Sequence, residues 1–205
     1  MKTILALATS LCVTCGSTPA FAGTDQVATW LLSAVSAWGG MVPAAEREHT
    51  LAFRQQLVED VASVAFDPAE PPRYAGPYGR SLTALAMLSI TALETRFRER
   101  IMLGHCKTHE CDGGHAVGLM QAHPGDHGLR MIETKAEQCL SDDDDCLTAS
   151  DLVEGGAQLQ FRMGLHIWRA QGIEAYSPGP AAIEQATAWA LRHRPPVTDA
   201  DVIGL

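Results

Sequence analysis

The sequence predicts a mainly helical domain, and three observations support that prediction. Apolar residues recur at helical spacing in five segments of the 205-residue chain. Clusters of glycine and proline separate those segments. The alternation of apolar and polar residues that is typical of strands is weak. The only strands expected form a short β-hairpin between residues 104 and 122.

Two helices are expected in the first third of the chain. Thr24 or Asp25 is placed to cap the first helix, and Gly39-Gly40 ends it. The second helix begins near Pro43, because proline suits the first turn of a helix. Residues 67–80 are rich in proline and glycine, so they are expected to form a loop.

The other three helices are expected after that loop. Ser81 is placed to cap a helix that is apolar nearly all round, as expected for a central, buried helix. Two further helices are expected at residues 150–171 and 181–193, with a glycine and a proline pair after them as stop signals.

The chain therefore divides into an N-terminal helical segment and loop at residues 23–80, a main domain at 81–194 and a loose tail at 195–205. We expect the first two helices to pack outside the main domain. Trp30 and Trp38 would then face its core.

Residues 1–22 have the pattern of a cleavable signal peptide. Lys2 gives a positive start, a short apolar stretch follows, and Ala20-Phe21-Ala22 is a small-x-small cleavage site. The apolar stretch is too short to anchor in a bilayer. We expect cleavage near Ala22 and a periplasmic or secreted protein, with lipidation at an early cysteine as the less favoured alternative.

The charge balance limits the classes of partner. The chain has 15 Lys and Arg against 24 Asp and Glu, a net charge of −9, and removal of Lys2 would make it more acidic. A nucleic-acid partner is not expected, because a phosphate backbone needs a basic face. No later stretch is long and apolar enough to be a membrane span.

Four cysteines follow the signal peptide: Cys106, Cys111, Cys139 and Cys146. An even number of cysteines in an exported chain indicates two disulfides. Three pairings are open, and the local one, Cys106–Cys111 with Cys139–Cys146, is favoured because each pair brackets a short polar loop.

Glu94 stands where the apolar central helix turns charged. A carboxyl group in an apolar niche keeps its proton near neutral pH, because burial disfavours the charged form. Such a group can protonate the leaving oxygen of a glycosidic bond. The alternative is a structural glutamate at a helix end, paired with Arg96 or Arg98.

Two further motifs follow Glu94 along the chain. In Gly118-Leu119-Met120-Gln121, glycine lets the backbone approach a ligand, and the Gln121 amide suits sugar hydroxyl and N-acetyl groups. Leu119 and Met120 can anchor this turn in the core or line a groove. Tyr176, in a loop rich in proline and glycine, can donate a hydrogen bond to a carboxylate while its ring stacks on a sugar.

In this order, the motifs resemble the Slt-type lytic transglycosylases of the lysozyme-like superfamily. The resemblance covers roughly residues 81–192. It consists of four stretches: Ala92-Leu93-Glu94, His115-Ala116-Val117-Gly118-Leu119-Met120-Gln121, Glu154-Gly155-Gly156-Ala157-Gln158-Leu159 and Ala175-Tyr176-Ser177-Pro178-Gly179-Pro180.

The resemblance implies a lysozyme-like fold and a sugar-cleaving activity. Glu94 would be the sole catalytic acid/base, acting on the β-1,4 bond between N-acetylmuramic acid and N-acetylglucosamine and leaving a 1,6-anhydro product. Peptidoglycan glycan strands would be the substrate, bound by Gly118, Met120, Gln121 and Tyr176, with no cofactor and no metal. Secretion or wall machinery would be a further partner, and the oligomeric state is open.

The sequence departs from the family pattern at three positions. Thr95 follows the glutamate where serine is usual, His115 stands where glycine is usual, and Ser177 follows the tyrosine where asparagine is usual. Ser177 lacks the amide that would hold the loop or the sugar, so the resemblance does not fix specificity. Endo or exo cleavage and the biological context are also left open.

Two other functions remain open. A lysozyme-type hydrolase would need a positioned water and a second acid, for which Asp112 or Asp126 could serve. A catalytically silent wall-binding or assembly protein would keep the fold without turnover.

Two segments resemble metal sites, and both are disfavoured. Residues 105–115 offer histidine and cysteine that could bind zinc, but exported thiols tend to oxidise. The aspartates at 142–145 lack the spacing and glycine of a calcium loop. No role is assigned to the loop histidines, His105, His109, His115, His123 and His127.

Overall fold

The protein is mainly helical, as the sequence predicts. The computed structural model describes residues 23–40, 44–107, 110–141 and 144–203, and it is 61% helix with one two-stranded sheet. The predicted signal peptide at 1–22 lies outside the described residues, as do Pro43 and His109.

The elements follow one another along the chain with short connections. They are α1 Thr24–Trp38, α2 Arg47–Phe66, α3 Gly79–Thr95, α4 Glu99–Met102, α5 Cys111–Gly114, β1 Leu129–Ile132, β2 Lys135–Gln138, α6 Ala149–Glu154, α7 Gly156–Gln171, α8 Gly179–Arg192 and α9 Asp199–Ile203. Short 3-10 turns at Ala44–Glu46 and Ile173–Ala175 precede α2 and follow α7.

Helix α3 is the central element. It packs against α1, α2, α7, α8 and α9, and its side chains from Ser81 to Ala92 are buried with the exception of Leu82. Such a helix has no polar stripe, which explains why its sequence is apolar nearly all round.

Helices α1 and α2 belong to the same hydrophobic core as α3. Residues of α2 contact α3 and α7 directly, so these two helices do not pack outside a separate domain. Trp30 is buried and its indole N–H donates to the His193 carbonyl at 2.7 Å. The Trp38 ring meets Trp189 edge to face at 5.8 Å between centroids.

The cap of α3 comes from the far end of the chain. The Asp199 carboxylate accepts the backbone N–H groups of Arg80 at 2.8 Å and Ser81 at 3.4 Å. The prediction that Ser81 caps this helix is wrong, because Ser81 lies inside it and its hydroxyl is buried without a partner among the described residues. The tail is not loose either, since α9 forms there and buries Val202.

Two other predicted boundaries differ from the structure. The segment expected as one helix over 150–171 is divided, because Gly156 adopts a φ of +67° and separates α6 from α7. The hairpin lies later than expected, because β1 pairs antiparallel with β2. The described residues between 104 and 122 contain one isolated bridge, between Val117 and Ala122.

A buried ion cluster fixes the loop after α2 to α7. Glu70 accepts hydrogen bonds from His166 at 2.9 Å and Arg162 at 2.7 Å, and it is also paired with Arg169. Arg162 reaches Asp67 as well, at 2.8 Å. Burial alone would raise the pKa of Glu70, but Arg169 and His166 hold it below its usual value.

Across the described residues, no helix is both long and apolar enough to cross a membrane.

Asp199→Ala should destabilise the protein by about 1 kcal/mol, because two N–H groups of α3 lose their cap. In a domain of this size that corresponds to a fall in Tm of roughly 2–4 °C. Thermal unfolding monitored by circular dichroism measures the change. Exposed Glu184, on α8, provides the control Glu184→Ala. Equal Tm values for the two variants would show that α9 does not stabilise α3.

Candidate functional site

Glu94 lies in the last turn of α3, at the edge of the core. Its side chain is partly buried, and the neighbouring Leu93 is 42% exposed. Within the described part of the chain, the Glu94 carboxylate forms no ion pair or hydrogen bond, and Arg98 pairs with Glu110 instead. The alternative, an ion pair between Glu94 and Arg96 or Arg98, is therefore not present.

The environment of Glu94 favours the protonated acid. Burial is the larger cause, and the negative charge of Asp112 adds to it; together they raise the pKa of Glu94 to about 7. A carboxyl group with this pKa is about half protonated at neutral pH, the condition that general acid catalysis requires.

The chain leaves Glu94 through an unusual turn. Arg96 and Phe97 have φ angles of 53° and 54°, a left-handed conformation that L-residues rarely adopt. Each costs on the order of 1–3 kcal/mol. Phe97 is buried in the main core, which holds the turn in place. Strain of this kind concentrates at functional sites.

Asp112 is carried by a second left-handed segment. The φ angles are positive at Cys111, Asp112, Gly113 and Gly114, so α5 is a single left-handed turn. Glycine tolerates this conformation, whereas Cys111 and Asp112 do so only at a cost.

Covalent and ionic contacts hold that turn at its N-terminal side. Cys111 is joined to Cys106 by a disulfide. The preceding Glu110 pairs with Arg98 at 2.6 Å and with Arg100, and it accepts the Lys107 N–H at 2.9 Å. These contacts over-determine the backbone, so the strained turn can persist and keep Asp112 near Glu94.

His123 faces Asp112 from the other side. Its Nε2 lies 3.1 Å from the Asp112 carboxylate, and both side chains are more than half exposed. An exposed pair of this kind contributes little to stability. His105 and His115 are exposed, and no role follows from their positions.

The Gly118–Gln121 turn forms as the sequence predicts. Val117 and Ala122 pair across it, and Gly118 has a φ of +73°. The Gln121 side-chain amide donates to the Gly118 carbonyl at 2.8 Å and lies 3.6 Å from the Cys111 sulfur. Among the described residues, the amide oxygen of Gln121 has no hydrogen-bond partner, so it can act as an acceptor beside the turn that carries Asp112.

Gln160, on α7, fixes this turn by hydrogen bonds. Its amide oxygen accepts the Leu119 N–H at 2.9 Å, and its amide nitrogen donates to the carbonyls of Met102 and Leu152. A Cβ atom at position 118 would lie 2.6 Å from the Gln160 amide, so only glycine fits there. Gln160 follows directly after a stretch that carries the resemblance, yet nothing in its sequence context predicts this role.

Met120 anchors the turn in the core. It is 1% exposed, and a Cβ atom at position 164 would lie 2.4 Å from its sulfur. Gly164 is therefore the counterpart of Met120. An isolated glycine within the amphipathic α7 is the sequence signal that could have predicted this close contact.

Tyr176 lies near Glu94 but does not bind it. Its hydroxyl donates to the Gly164 carbonyl at 2.6 Å and its ring is buried. Burial, followed by the negative charge of Glu94, raises the pKa of Tyr176 above its usual value. The hydroxyl therefore does not donate to the Glu94 carboxylate, and the ring is too buried to stack on a sugar as expected. Tyr176 instead fixes its loop to α7, whereas Ser177 is exposed.

Both predicted local disulfides are present, Cys106–Cys111 and Cys139–Cys146. Bonded sulfurs cannot act as thiolate ligands, which disfavours zinc at residues 105–115. Among the described residues, no group of three or more histidine, cysteine or acidic side chains could hold a metal ion. Part of the acidic loop, residues 142–143, lies outside them.

The arrangement brings together a protonatable acid, a nearby second carboxylate and a rigid amide-bearing turn. The charge that raises the pKa of Glu94 is that of Asp112 and not that of Asp126.

Comparisons with protein-family models, curated proteins and solved structures found no match to this chain. The chemistry of this site therefore follows from its own side chains.

Asp112→Asn should lower the pKa of Glu94, because it removes a neighbouring negative charge while leaving the burial unchanged. Titration of the Glu94 carboxyl carbon by NMR measures this, starting from about 7 in the unsubstituted protein. Asp126→Asn is the matched control and should leave the titration unchanged. Identical midpoints in all three proteins would contradict the proximity of Asp112 and Glu94.

Glu94→Gln should stabilise the protein at pH 8 but not at pH 4. The unfolded chain loses the Glu94 proton near its ordinary pKa, and the folded protein keeps it up to about 7, so stability falls between those values. Glutamine removes this penalty, and allowing for partial exposure the gain is about 1–3 kcal/mol. Urea unfolding at both pH values measures it, with Glu184→Gln as control. A variant less stable at pH 8 would contradict the penalty.

Proposed function

We propose that the protein is an exported peptidoglycan lytic transglycosylase. It cleaves the β-1,4 bond between N-acetylmuramic acid and N-acetylglucosamine, with Glu94 as the sole acid/base. The proposal combines the motifs around Glu94, Gln121 and Tyr176 with the chemistry of the site. The two disulfides are compatible with an oxidising compartment outside the cytoplasm.

One observation carries the proposal: Glu94 is partly buried, unpaired among the described residues and held at a pKa of about 7. Most structural glutamates are paired or solvated and titrate near their ordinary value. A carboxyl group that is costly to desolvate and makes no compensating contact is expected at a catalytic position.

The reaction requires one group to act twice. Protonated Glu94 gives its proton to the glycosidic oxygen as the bond from that oxygen to the muramic acid C1 breaks. The substrate's N-acetyl oxygen stabilises C1. The Glu94 carboxylate then takes the proton of the C6 hydroxyl while O6 bonds to C1, which closes the anhydro ring without adding water. Glu94 ends the cycle protonated.

The surrounding residues would position the sugar. The amide oxygen of Gln121, which has no hydrogen-bond partner among the described residues, accepts from a sugar hydroxyl or N-acetyl N–H. Gly118 is buried against Gln160, so it shapes the turn and does not contact the sugar. Met120 and Tyr176 support these groups from within the core. Because the chain carries a net charge of −9, recognition of an anionic wall polymer depends on such local contacts.

Asp112 supports a second candidate, a lysozyme-type hydrolase. Its charge raises the pKa of Glu94, so the two carboxyl groups lie close together. In that reaction Asp112 would stabilise the sugar cation or orient the attacking water. The product would then carry a reducing end instead of an anhydro ring.

Purified peptidoglycan digested by the full chain distinguishes these functions by product mass. The transglycosylase releases 1,6-anhydro products, each lighter by one water than the hydrolase product. Glu94→Gln should reduce product formation by about 10²–10⁴-fold. Asp112→Asn should leave anhydro products in place and shift the alkaline limb of the pH–rate profile downwards, because the pKa of Glu94 falls.

Other outcomes would assign the protein differently. Reducing-end products that disappear in Asp112→Asn favour the hydrolase. Sedimentation of the protein with peptidoglycan, without turnover and unchanged by Glu94→Gln, favours a catalytically silent wall-binding protein. Full cleavage activity in Glu94→Gln would rule out the proposed role of this residue.

A further inference from the structure

An apolar groove lies at the opposite end of α3 from Glu94. Its volume is about 370 Å³. One wall is formed by Tyr74, Tyr78 and Leu82, and the other by residues of α8, among them Ala190 and Leu191. Leu82 precedes Glu94 by twelve residues, so the groove is about 18 Å from the proposed reaction site.

The groove exists because one wall has small side chains and the other has fixed aromatic rings. Ala186 and Ala190 are four residues apart on one face of α8 and leave a hollow between them. Opposite, the Tyr74 ring is held edge to face against Trp168 at 6.0 Å between centroids. The cavity is therefore built by packing and does not require an incoming ligand to form it.

A single cation lies at one end of the groove. The Arg194 guanidinium stands 5.1 Å from the centre of the Tyr78 ring, and its Nη2 donates to the Tyr78 hydroxyl at 2.8 Å. No carboxylate pairs with Arg194 among the described residues, and none lines the groove. Its other N–H groups remain available to a carboxylate, the partner that guanidinium binds best.

The apolar surface continues past the mouth of the groove. Leu191 is 82% exposed, although it also lines the cavity. Its exposed part could contact a second apolar residue of a bound chain. A ligand that fits this surface has an apolar group in the groove and an anionic group at Arg194. The rest of the ligand extends past Leu191, outside the groove.

We propose that this groove binds the C-terminal end of a partner polypeptide. The last apolar side chain enters between Tyr78 and Ala190, its α-carboxylate binds Arg194, and the preceding residue packs on Leu191. A cavity of this volume is at the small end of ligand sites, and it suits one large side chain better than an extended ligand. Capture of a terminal carboxylate is an established mode of peptide recognition. The proposal is independent of the reaction at Glu94.

The test uses the full chain and an N-acetylated pentapeptide, Ac-Gly-Ser-Gly-Leu-Phe, prepared with a free carboxylate and as the C-terminal amide. Binding is measured by NMR titration. The acid should shift signals of Tyr74, Tyr78 and Leu191 and bind about tenfold more tightly than the amide, as expected for one hydrogen-bonded charge pair. Arg194→Gln should abolish that difference.

Arg192→Gln is the matched control. It removes the same charge two residues away, where Arg192 is exposed and contacts only the Ala188 carbonyl among the described residues. It should retain the tenfold preference for the acid. Ala190→Trp, which fills the groove, should prevent binding of both peptides, and its circular dichroism spectrum and Tm show whether it is folded.

Three outcomes would overturn the proposal. Equal binding of acid and amide, or shifts elsewhere on the surface, would show that Arg194 does not recognise a carboxylate. Binding of N-acetylphenylalanine as tight as the pentapeptide would assign the groove to a small free acid. A dimer that dissociates in Arg194→Gln, with no peptide binding, would assign it to a second copy of this chain.

Discussion

Burial of α3 on all sides is the constraint on which the rest of the structure depends. A helix enclosed by α1, α2, α7, α8 and α9 must be apolar, and it can leave the core only at its two ends. At its C-terminal end, Glu94 is close enough to apolar atoms to lose much of its hydration. The raised pKa of Glu94 is therefore a consequence of how the domain packs, and Asp112 adds to an effect that burial establishes.

The proposed site also contains features that destabilise the fold locally. Left-handed residues follow Glu94 and surround Asp112, and two carboxylates that repel each other are kept together. Contacts elsewhere offset these costs: the Cys106–Cys111 disulfide, the ion pairs of Glu110 and the three hydrogen bonds of Gln160.

The sequence predicts features that depend on local pattern and misses those that depend on distant contacts. Helical spacing locates α3, and the short loops between cysteines indicate both disulfides. The cap of α3 could not be predicted, because Asp199 is more than a hundred residues away from the N–H groups it accepts. The ion pair between Arg98 and Glu110 could not be predicted either, because it depends on how the chain folds between α4 and α5. Tyr176 does not bind Glu94 as expected, because its hydroxyl donates a hydrogen bond to the carbonyl of Gly164, on α7.

Helix α7 connects the two ends of α3. Through Glu70 it fixes the loop that leads to Tyr74 and the groove, and through Gln160 and Gly164 it holds the turns around Glu94. The two surfaces share this support but differ in chemistry, because one carries the carboxyl groups of Glu94 and Asp112 and the other is apolar with the Arg194 guanidinium at one end. Their separation of about 18 Å along α3 exceeds the Debye length at physiological ionic strength. Exposed charges at the two ends are therefore largely screened from each other.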